Sequence, residues 1–212
     1  MKITVRKEQP SDYRKVEEVA REAFWNLYVP GCEEHLVIHK MRNHKDFIKE
    51  LGFVVEVDGE VMGSIFYTKS KIVTPDGTEI ETASFGPVNI HPSLHRKGVG
   101  RELITYAIEE TKKLGYRAIL TLGYDYHYKP YGFKSGKAYG ITMPDGNFYK
   151  GLLVLPLYEG ALDNISGYAM FSDIFELDPE EVETYDRHFE PKEKLVLPSQ
   201  EEFAKASIML DE

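Results

Sequence analysis

The chain has 212 residues, of which 42% are hydrophobic and 29% are charged, and its net charge is −9 at pH 7. This composition is that of a globular protein long enough to bury a core, and the length suits one domain with a small appendage. The acidic balance argues against a general nucleic-acid binder and is compatible with a cationic partner such as an amine.

The sequence contains one cysteine, Cys32, which excludes an intrachain disulfide framework and suits a reducing compartment. Met1 leads directly into a segment of alternating residues, and neither a signal peptide nor an apolar run of about 18 residues is visible. These features predict a cytoplasmic protein with no membrane partner.

The N-terminal part of the sequence predicts one strand followed by two helices. Polar and apolar residues alternate over 2–7, which is typical of a strand. Ser11 or Asp12 is expected to cap the first helix, and a more polar second helix is predicted over 33–50. The apolar stripe of the first helix consists of Val16, Val19, Ala20, Ala23 and Phe24.

The next part predicts strands joined by tight turns. Residues 53–57 and 61–67 read as a hairpin across Asp58-Gly59, a strong turn dipeptide. Pro75-Asp76-Gly77 marks a second turn, and residues 83–90 form a further strand.

A helix is then predicted from residue 99 to a stop at Gly115, followed by a buried strand over 118–122. An aromatic segment over 124–133 and another buried strand over 152–155 complete this part. The buried stripe of the helix is expected to contain Val99, Leu103, Ala107, Ile108 and Leu114. The element order predicts an α+β, or mixed α/β, fold around a largely antiparallel sheet.

Residues 158–212 are acidic, with two short helices predicted near 179–188 and 199–208. They are interpreted as a C-terminal extension that packs on or covers a domain formed by residues 1–157, and not as an independent domain. Whether the protein forms a homodimer is left open by the sequence.

The most informative stretch is 88–103, where a buried strand leads into a short basic loop with Gly98 and Gly100 and then into a helix. Glycines let backbone N–H groups turn toward an anion, and the helix N-terminus adds its positive dipole end. Arg96, Lys97 and Arg101 add full charges. The pattern predicts a cradle for a phosphorylated small molecule, and the alternative is a plain helix cap with solvated basic residues.

Two common phosphate-binding motifs are excluded. A dinucleotide fingerprint needs a third glycine or alanine where this chain has Leu103, and a Walker A loop needs serine or threonine after Gly136-Lys137, where it has Ala138.

Two motifs instead resemble those of the GNAT superfamily, the acetyl-CoA-dependent N-acetyltransferases. The stretch His95-Arg96-Lys97-Gly98-Val99-Gly100 resembles its pyrophosphate loop, Gln/Arg-x-x-Gly-x-Gly/Ala, with His95 departing from the first position. Tyr128-Lys129-Pro130-Tyr131-Gly132-Phe133 resembles its second signature. The resemblance covers residues 1–157 and implies a GNAT-like fold, a central, mostly antiparallel twisted sheet flanked by helices.

The resemblance also implies an enzyme, an N-acetyltransferase that moves an acetyl group from acetyl-CoA to a primary amine by direct attack in a ternary complex. Tyr128 would act beside the thioester sulfur, and the backbone N–H of Ile90 would polarise the carbonyl. The strand before the loop would bulge and offer its main chain to pantetheine. The implied acetyl-CoA-binding residues are Val88, Asn89, Ile90, His95, Arg96, Lys97, Gly98, Val99, Gly100 and Arg101.

Two alternatives remain at this stage. One is a non-enzymatic acyl-CoA sensor or interaction protein. The other is a metal-dependent hydrolase, because Cys32, His35 and His39 would share one face of a helix. The candidates for a general base are Glu33, Glu34, Glu81 and Asp125, none of which the sequence singles out.

Overall fold

The computed structural model describes residues 1–212 and shows a mixed α/β fold with a mostly antiparallel open sheet flanked by helices. None of its helices combines the length and the apolar character needed to cross a membrane. The strands are β1 (Ile3–Lys7), β2 (Phe53–Val57), β3 (Glu60–Val73), β4 (Glu79–Ile90), β5 (Ala118–Leu122), β6 (Lys134–Ser135), β7 (Ile141–Thr142), β8 (Leu152–Pro156) and β9 (Gly167–Met170). The α-helices are α1 (Tyr13–Phe24), α2 (Glu34–Met41), α3 (Val99–Lys113), α4 (Asp125–Tyr128), α5 (Pro179–Asp186) and α6 (Pro198–Ser207).

The chain forms two compact units, and each is assembled from three segments. The first unit comprises Met1–Tyr67, Pro87–Ile108 and Asp173–Glu201, and the second comprises Thr68–Gly86, Glu109–Ser172 and Glu202–Glu212. The predicted division into a domain over 1–157 and an extension over 158–212 follows different boundaries and stays a prediction.

In the first unit, β1, β2, β3 and β4 are neighbours in that order. The predicted hairpin between β2 and β3 is confirmed, with Asp58 and Gly59 both at positive φ, 53° and 92°. Glycine tolerates this left-handed backbone without a steric penalty, and Asp is one of the few other residues that adopt it.

Helices α1 and α2 cover the core of this unit. The predicted stripe of α1 is buried at Val16, Val19 and Ala20, and α1 begins directly after Asp12. The Asp12 carboxylate accepts from the backbone N–H of Gln9 at 2.8 Å. The core cluster consists of Val16, Ala20, Val37, Ile38, Met41, Val54, Val61, Phe66 and Ile174.

The second helix is shorter than predicted, because α2 ends at Met41 and not near residue 50. The chain then turns, with the N–H of His44 bonded to the carbonyl of Met41. Ile48 is buried and its N–H donates to the carbonyl of Tyr67 on β3, a contact that a continued helix could not make. Pairing of the Ile48 backbone with β3 thus takes the place of the predicted helix beyond Met41.

In the second unit, β3, β4, β5, β8 and β6 are neighbours in that order, and β9 pairs with β3 and β7. The β4–β5 pair is parallel and consists of Ala83 opposite Ile119 and Ser84 opposite Leu120, so this ladder ends before Val88 and Ile90. The core cluster contains Ile72, Ala118, Leu120, Ile141, Leu152, Val154, Leu162 and Ala169.

Helix α3 follows its predicted pattern except at its end. Val99, Leu103, Ala107 and Ile108 are buried, but Leu114 is 46% exposed. The helix has already ended at Lys113, and Gly115 stands at a φ of 83° in the following turn. Leu114 therefore lies in that turn and is not on the buried stripe.

The C-terminal segment is anchored within each unit. In the first, the Arg21 guanidinium donates to the Asp186 carboxylate at 2.7 Å, and the Trp25 indole N–H donates to the Glu193 carbonyl at 2.9 Å. In the second, the backbone of Tyr149 pairs with that of Leu210 in an antiparallel bridge.

Candidate functional site

The loop between β4 and α3 has an open conformation at Gly98. It contains a 3-10 turn over Pro92–Leu94, and Arg96 and Gly98 both stand at positive φ, 60° and 85°. No atom lies within 4 Å of the position that a Gly98 side chain would occupy. The loop therefore leaves space directly above its backbone, and the left-handed φ favours glycine there.

The start of α3 supplies the polar groups of this space. The helix begins at Val99, whose side chain is fully buried and fixes the first turn. The first N–H groups of a helix have no carbonyl partner within it and carry the positive end of its dipole. Arg96, Lys97 and Arg101 are exposed around this end. The arrangement can hold an anion.

His95 closes the loop on itself. Its Nε2 lies 3.0 Å from the carbonyl oxygen of Ile90, so this nitrogen carries the proton and donates to the carbonyl. The contact joins the end of β4 to the residue that precedes Arg96 and Lys97. The ring therefore positions the loop, a role that the sequence analysis did not predict.

The strand residues predicted to bind acetyl-CoA differ in what they expose. Val88 and Ile90 are half-buried, whereas Asn89 is 4% exposed and its Nδ2 donates to the Ser64 hydroxyl at 2.8 Å. Gly63 makes room for this close pairing, since a side chain there would lie 2.5 Å from the Asn89 carbonyl oxygen. The Asn89 side chain is thus a structural group between β3 and β4.

Tyr128 is held in an aromatic cluster of the second unit. It ends the short helix α4 and is half-buried, with its ring 5.3 Å from that of Phe85 and 5.7 Å from that of Phe133. Gly123 lies under the ring, because a Cβ at that position would come within 2.7 Å of Tyr128 Cε2. A glycine directly after β5 was the available signal for this packing, and sequence reasoning missed it.

The residues after Tyr128 form a turn and part of the core. Phe133 is 2% exposed and belongs to the core, and Gly132 makes the turn at a φ of 94°. Tyr131 is half-buried.

Among the candidate bases, Glu34 has the most perturbed environment. Burial at the start of α2 raises its pKa to about 7, and its carboxylate accepts from the N–H of Glu33 at 3.1 Å. Burial also raises the pKa of Glu33. Glu81 and Asp125 are exposed. A carboxylate that titrates near neutrality is suited to accept a proton.

The three residues of the metal hypothesis do not share one helix face, so this alternative is not favoured. Cys32 precedes α2, which begins at Glu34, and therefore shares no helix face with the two histidines. The Cys32 sulfur lies 3.4 Å from His35 Nδ1, but His39 Nδ1 is bonded to Glu17 at 3.1 Å. Burial raises the pKa of the Cys32 thiol, which disfavours the thiolate that a metal requires.

A different group, His44, Asp46 and Asp173, places its potential ligand atoms within 4.8 Å of one another. The Asp173 carboxylate is already paired with the Lys45 ammonium at 3.3 Å. A cation bound there would compete with that lysine.

The comparisons with known proteins identify the family. The model of the acetyltransferase (GNAT) family matches residues 19–133, more than half of the chain, and includes both motifs. The chain belongs to this family, as the two sequence motifs predicted. It is similar to the uncharacterized N-acetyltransferase YhbS of Escherichia coli K12, with 22% identity over 174 residues that cover 82% of this chain and 98% of YhbS.

Solved structures agree with the fold. The GNAT family N-acetyltransferase YhbS from Escherichia coli in complex with CoA has a TM-score of 0.73 at 20% identity, covering 84% of this chain and 93% of that chain. A GNAT family acetyltransferase from Brucella melitensis in complex with acetyl-CoA has a TM-score of 0.66 at 24% identity, covering 82% and 98%. These likenesses confirm the predicted GNAT-like fold.

Proposed function

We propose that this chain transfers the acetyl group of acetyl-CoA to a primary amine, with both substrates bound at once. The observation that carries the proposal is the open loop at Gly98, which leaves free space over the N-terminus of α3. The two similar structures that were solved with CoA and with acetyl-CoA support the same donor here.

The residues of the loop fit a pyrophosphate. Its oxygens would accept hydrogen bonds from the N–H groups of Gly98, Val99 and Gly100, and Arg96, Lys97 and Arg101 would balance its charge. A side chain at Gly98 would fill the free space, whereas one at Gly100 would reach only ordinary contact, 3.5 Å from Ile90 Cγ1. A substitution at Gly98 is therefore expected to impair pyrophosphate binding more than a substitution at Gly100.

The main chain of β4 would hold the pantetheine arm. Val88 and Ile90 lie beyond the two pairs of the parallel ladder with β5, which leaves them as candidates for hydrogen bonds like those of an added strand. Asn89 would contribute through its backbone alone, because its side chain is bonded to Ser64.

The transfer needs few protein groups, because the thioester is already activated. The amine nitrogen attacks the acetyl carbonyl, whose oxygen is stabilised by the N–H of Ile90. The new C–N bond forms as the C–S bond breaks, and the Tyr128 hydroxyl gives its proton to the departing thiolate. The amine nitrogen loses a proton, which passes through water or a base to the Tyr128 oxygen and restores its hydroxyl.

The direct test is thiol release from acetyl-CoA in the presence of a panel of primary amines, with mass spectrometry of the products. We expect one thiol for each acetylated amine. Binding of CoA without thiol release from any amine would contradict the transferase and identify a sensor.

A further inference from the structure

The second unit contains a large pocket that is lined in part by Asp125 and Tyr126 of α4 and by the residues just before this helix. Its volume is about 780 Å³, which lies within the range of roughly 300–1,000 Å³ that is usual for small-molecule sites. Gly123 lines the pocket and also packs against the Tyr128 ring. Tyr128 lies on α4, as do the lining residues Asp125 and Tyr126. Gly123 and α4 therefore join the wall of this pocket to the proposed proton donor.

The pocket is apolar to an unusual degree for a surface feature. Three of its large side chains are mostly exposed, Leu122 at 54%, Tyr126 at 66% and Ile208 at 71%. Contiguous exposed apolar surface of this kind marks a binding site. The other apolar side chains of the lining are Tyr124, Met143, Pro144, Phe203, Ala206 and Met209.

The aromatic rings of the pocket are arranged to receive a flat or branched apolar group. Tyr124 and Tyr126 stack with their centroids 5.2 Å apart, and Phe203 meets Tyr124 edge to face at 6.5 Å. Backbone bonds hold the far wall, because the N–H of Lys150 donates to the Met209 carbonyl at 2.9 Å. The walls are thus preformed around an apolar interior.

The charged groups of the pocket favour a cation. Asp125 and Asp145 both line it, against the single ammonium of Lys150. Asp145 is occupied by the Tyr149 hydroxyl at 2.6 Å, which leaves Asp125, on the same short helix as Tyr128, as the carboxylate best placed to attract an ammonium group.

We infer that this pocket binds the body of the acyl acceptor, and that the acceptor is a primary amine on an aromatic or branched aliphatic group. The inference rests on the proposed acetyl transfer. The lining residues that follow residue 133 fall outside the stretch matched by the family.

Two alanines of α6 provide a matched pair of variants. Ala206 lines the pocket, whereas Ala204 is exposed on the same helix and does not. Ala206→Trp places a bulky ring in the pocket, and Ala204→Trp adds the same ring to the surface. Circular dichroism and CoA affinity establish that both variants are folded.

The assay compares kcat/KM at saturating acetyl-CoA for 2-phenylethylamine, 3-methylbutylamine, ethylamine and spermidine. We expect the first two to exceed ethylamine by at least about tenfold, since a few buried carbons discriminate by that much. Ala206→Trp should remove this preference, and Ala204→Trp should retain it with ethylamine turnover within about twofold of wild type. Equal turnover of all four amines, or an equal loss for all four in Ala206→Trp, would overturn the inference.

Direct binding separates this inference from the proposed function. Saturation-transfer NMR with 2-phenylethylamine and CoA reports occupancy without turnover. Binding to wild type that is lost only in Ala206→Trp supports the pocket even if no amine is acetylated. Absence of binding overturns the inference, while acetylation of polar amines would leave the acetyl transfer standing.

Discussion

Tyr128 is the side chain on which the proposed proton transfer depends. Its ring is fixed by Phe85, Phe133 and the glycine at position 123, so removal of the hydroxyl should leave the packing intact. We expect Tyr128→Phe to lower kcat by about 10²-fold, the lower end of general acid catalysis, with CoA affinity within about twofold of wild type.

Steady-state thiol release and calorimetry with CoA measure the two quantities. Tyr158→Phe removes a hydroxyl from a half-exposed tyrosine of the same unit and serves as the control. Unchanged turnover in Tyr128→Phe would refute the acid role.

The individual residues show where sequence reasoning succeeded. Gly98 and Gly132 were predictable because each belongs to a short local motif and occupies a left-handed backbone position that favours glycine. Gly123 was not, since its reason is the ring of Tyr128 five residues later. The hydrogen bond from the His95 ring to the Ile90 carbonyl could not be predicted either, because side-chain contacts within a loop depend on its backbone conformation.

At the scale of elements, the His95 ring joins the β4–α3 loop to the end of β4. We expect His95→Ala to raise the Kd for CoA by about fivefold, because a net hydrogen bond contributes about 1 kcal/mol to the ordered loop. His95→Gln retains a donor and should recover most of the affinity. Calorimetry measures both variants, and an unchanged Kd in His95→Ala would show that the Ile90 contact does not order the loop.

Helix α2 begins with a carboxylate whose titration affects stability. Burial raises the folded-state pKa of Glu34 to about 7, above its ordinary value, so the folded state binds the extra proton and loses stability as pH rises toward 7. We expect Glu34→Gln to remove this loss and to gain roughly 1–3 kcal/mol over wild type at pH 8 relative to pH 5.

Urea unfolding at pH 5, 6, 7 and 8 measures the difference, with Glu60→Gln, an exposed position, as the control. Burial lowers the pKa of His35 to about 4, which acts in the opposite direction below pH 6.5, but this contribution is common to all three proteins and cancels in the difference. Parallel stability curves for wild type and Glu34→Gln would contradict the burial of a charge at this site.

The elements themselves were predictable where the pattern is local. The hairpin at Asp58-Gly59 and helix α5 followed from turn chemistry and periodicity. Helix α2 was predicted too long, because Ile48 pairs with the Tyr67 backbone, which lies nineteen residues further along the chain. Strands β6, β7 and β9 are two to four residues long and exist only through their partners.

At the scale of the whole molecule, the family and the fold class were readable from two short motifs and the order of elements. The pocket lined by Gly123 was not, since it is assembled from residues near 123, 145 and 206 that lie far apart in the sequence. Backbone pairing brings them together, including the bridge between Tyr149 and Leu210. The acceptor therefore cannot be read from the motifs that identify the donor.

The most direct test of the central claim is a calorimetric titration of wild type and Gly98→Val with CoA. We predict saturable binding to wild type and its loss in the variant, because a side chain would enter the free space over the N-terminus of α3 and would strain a backbone at a φ of 85°. No binding to wild type at millimolar CoA, or equal binding by the variant, would contradict the account.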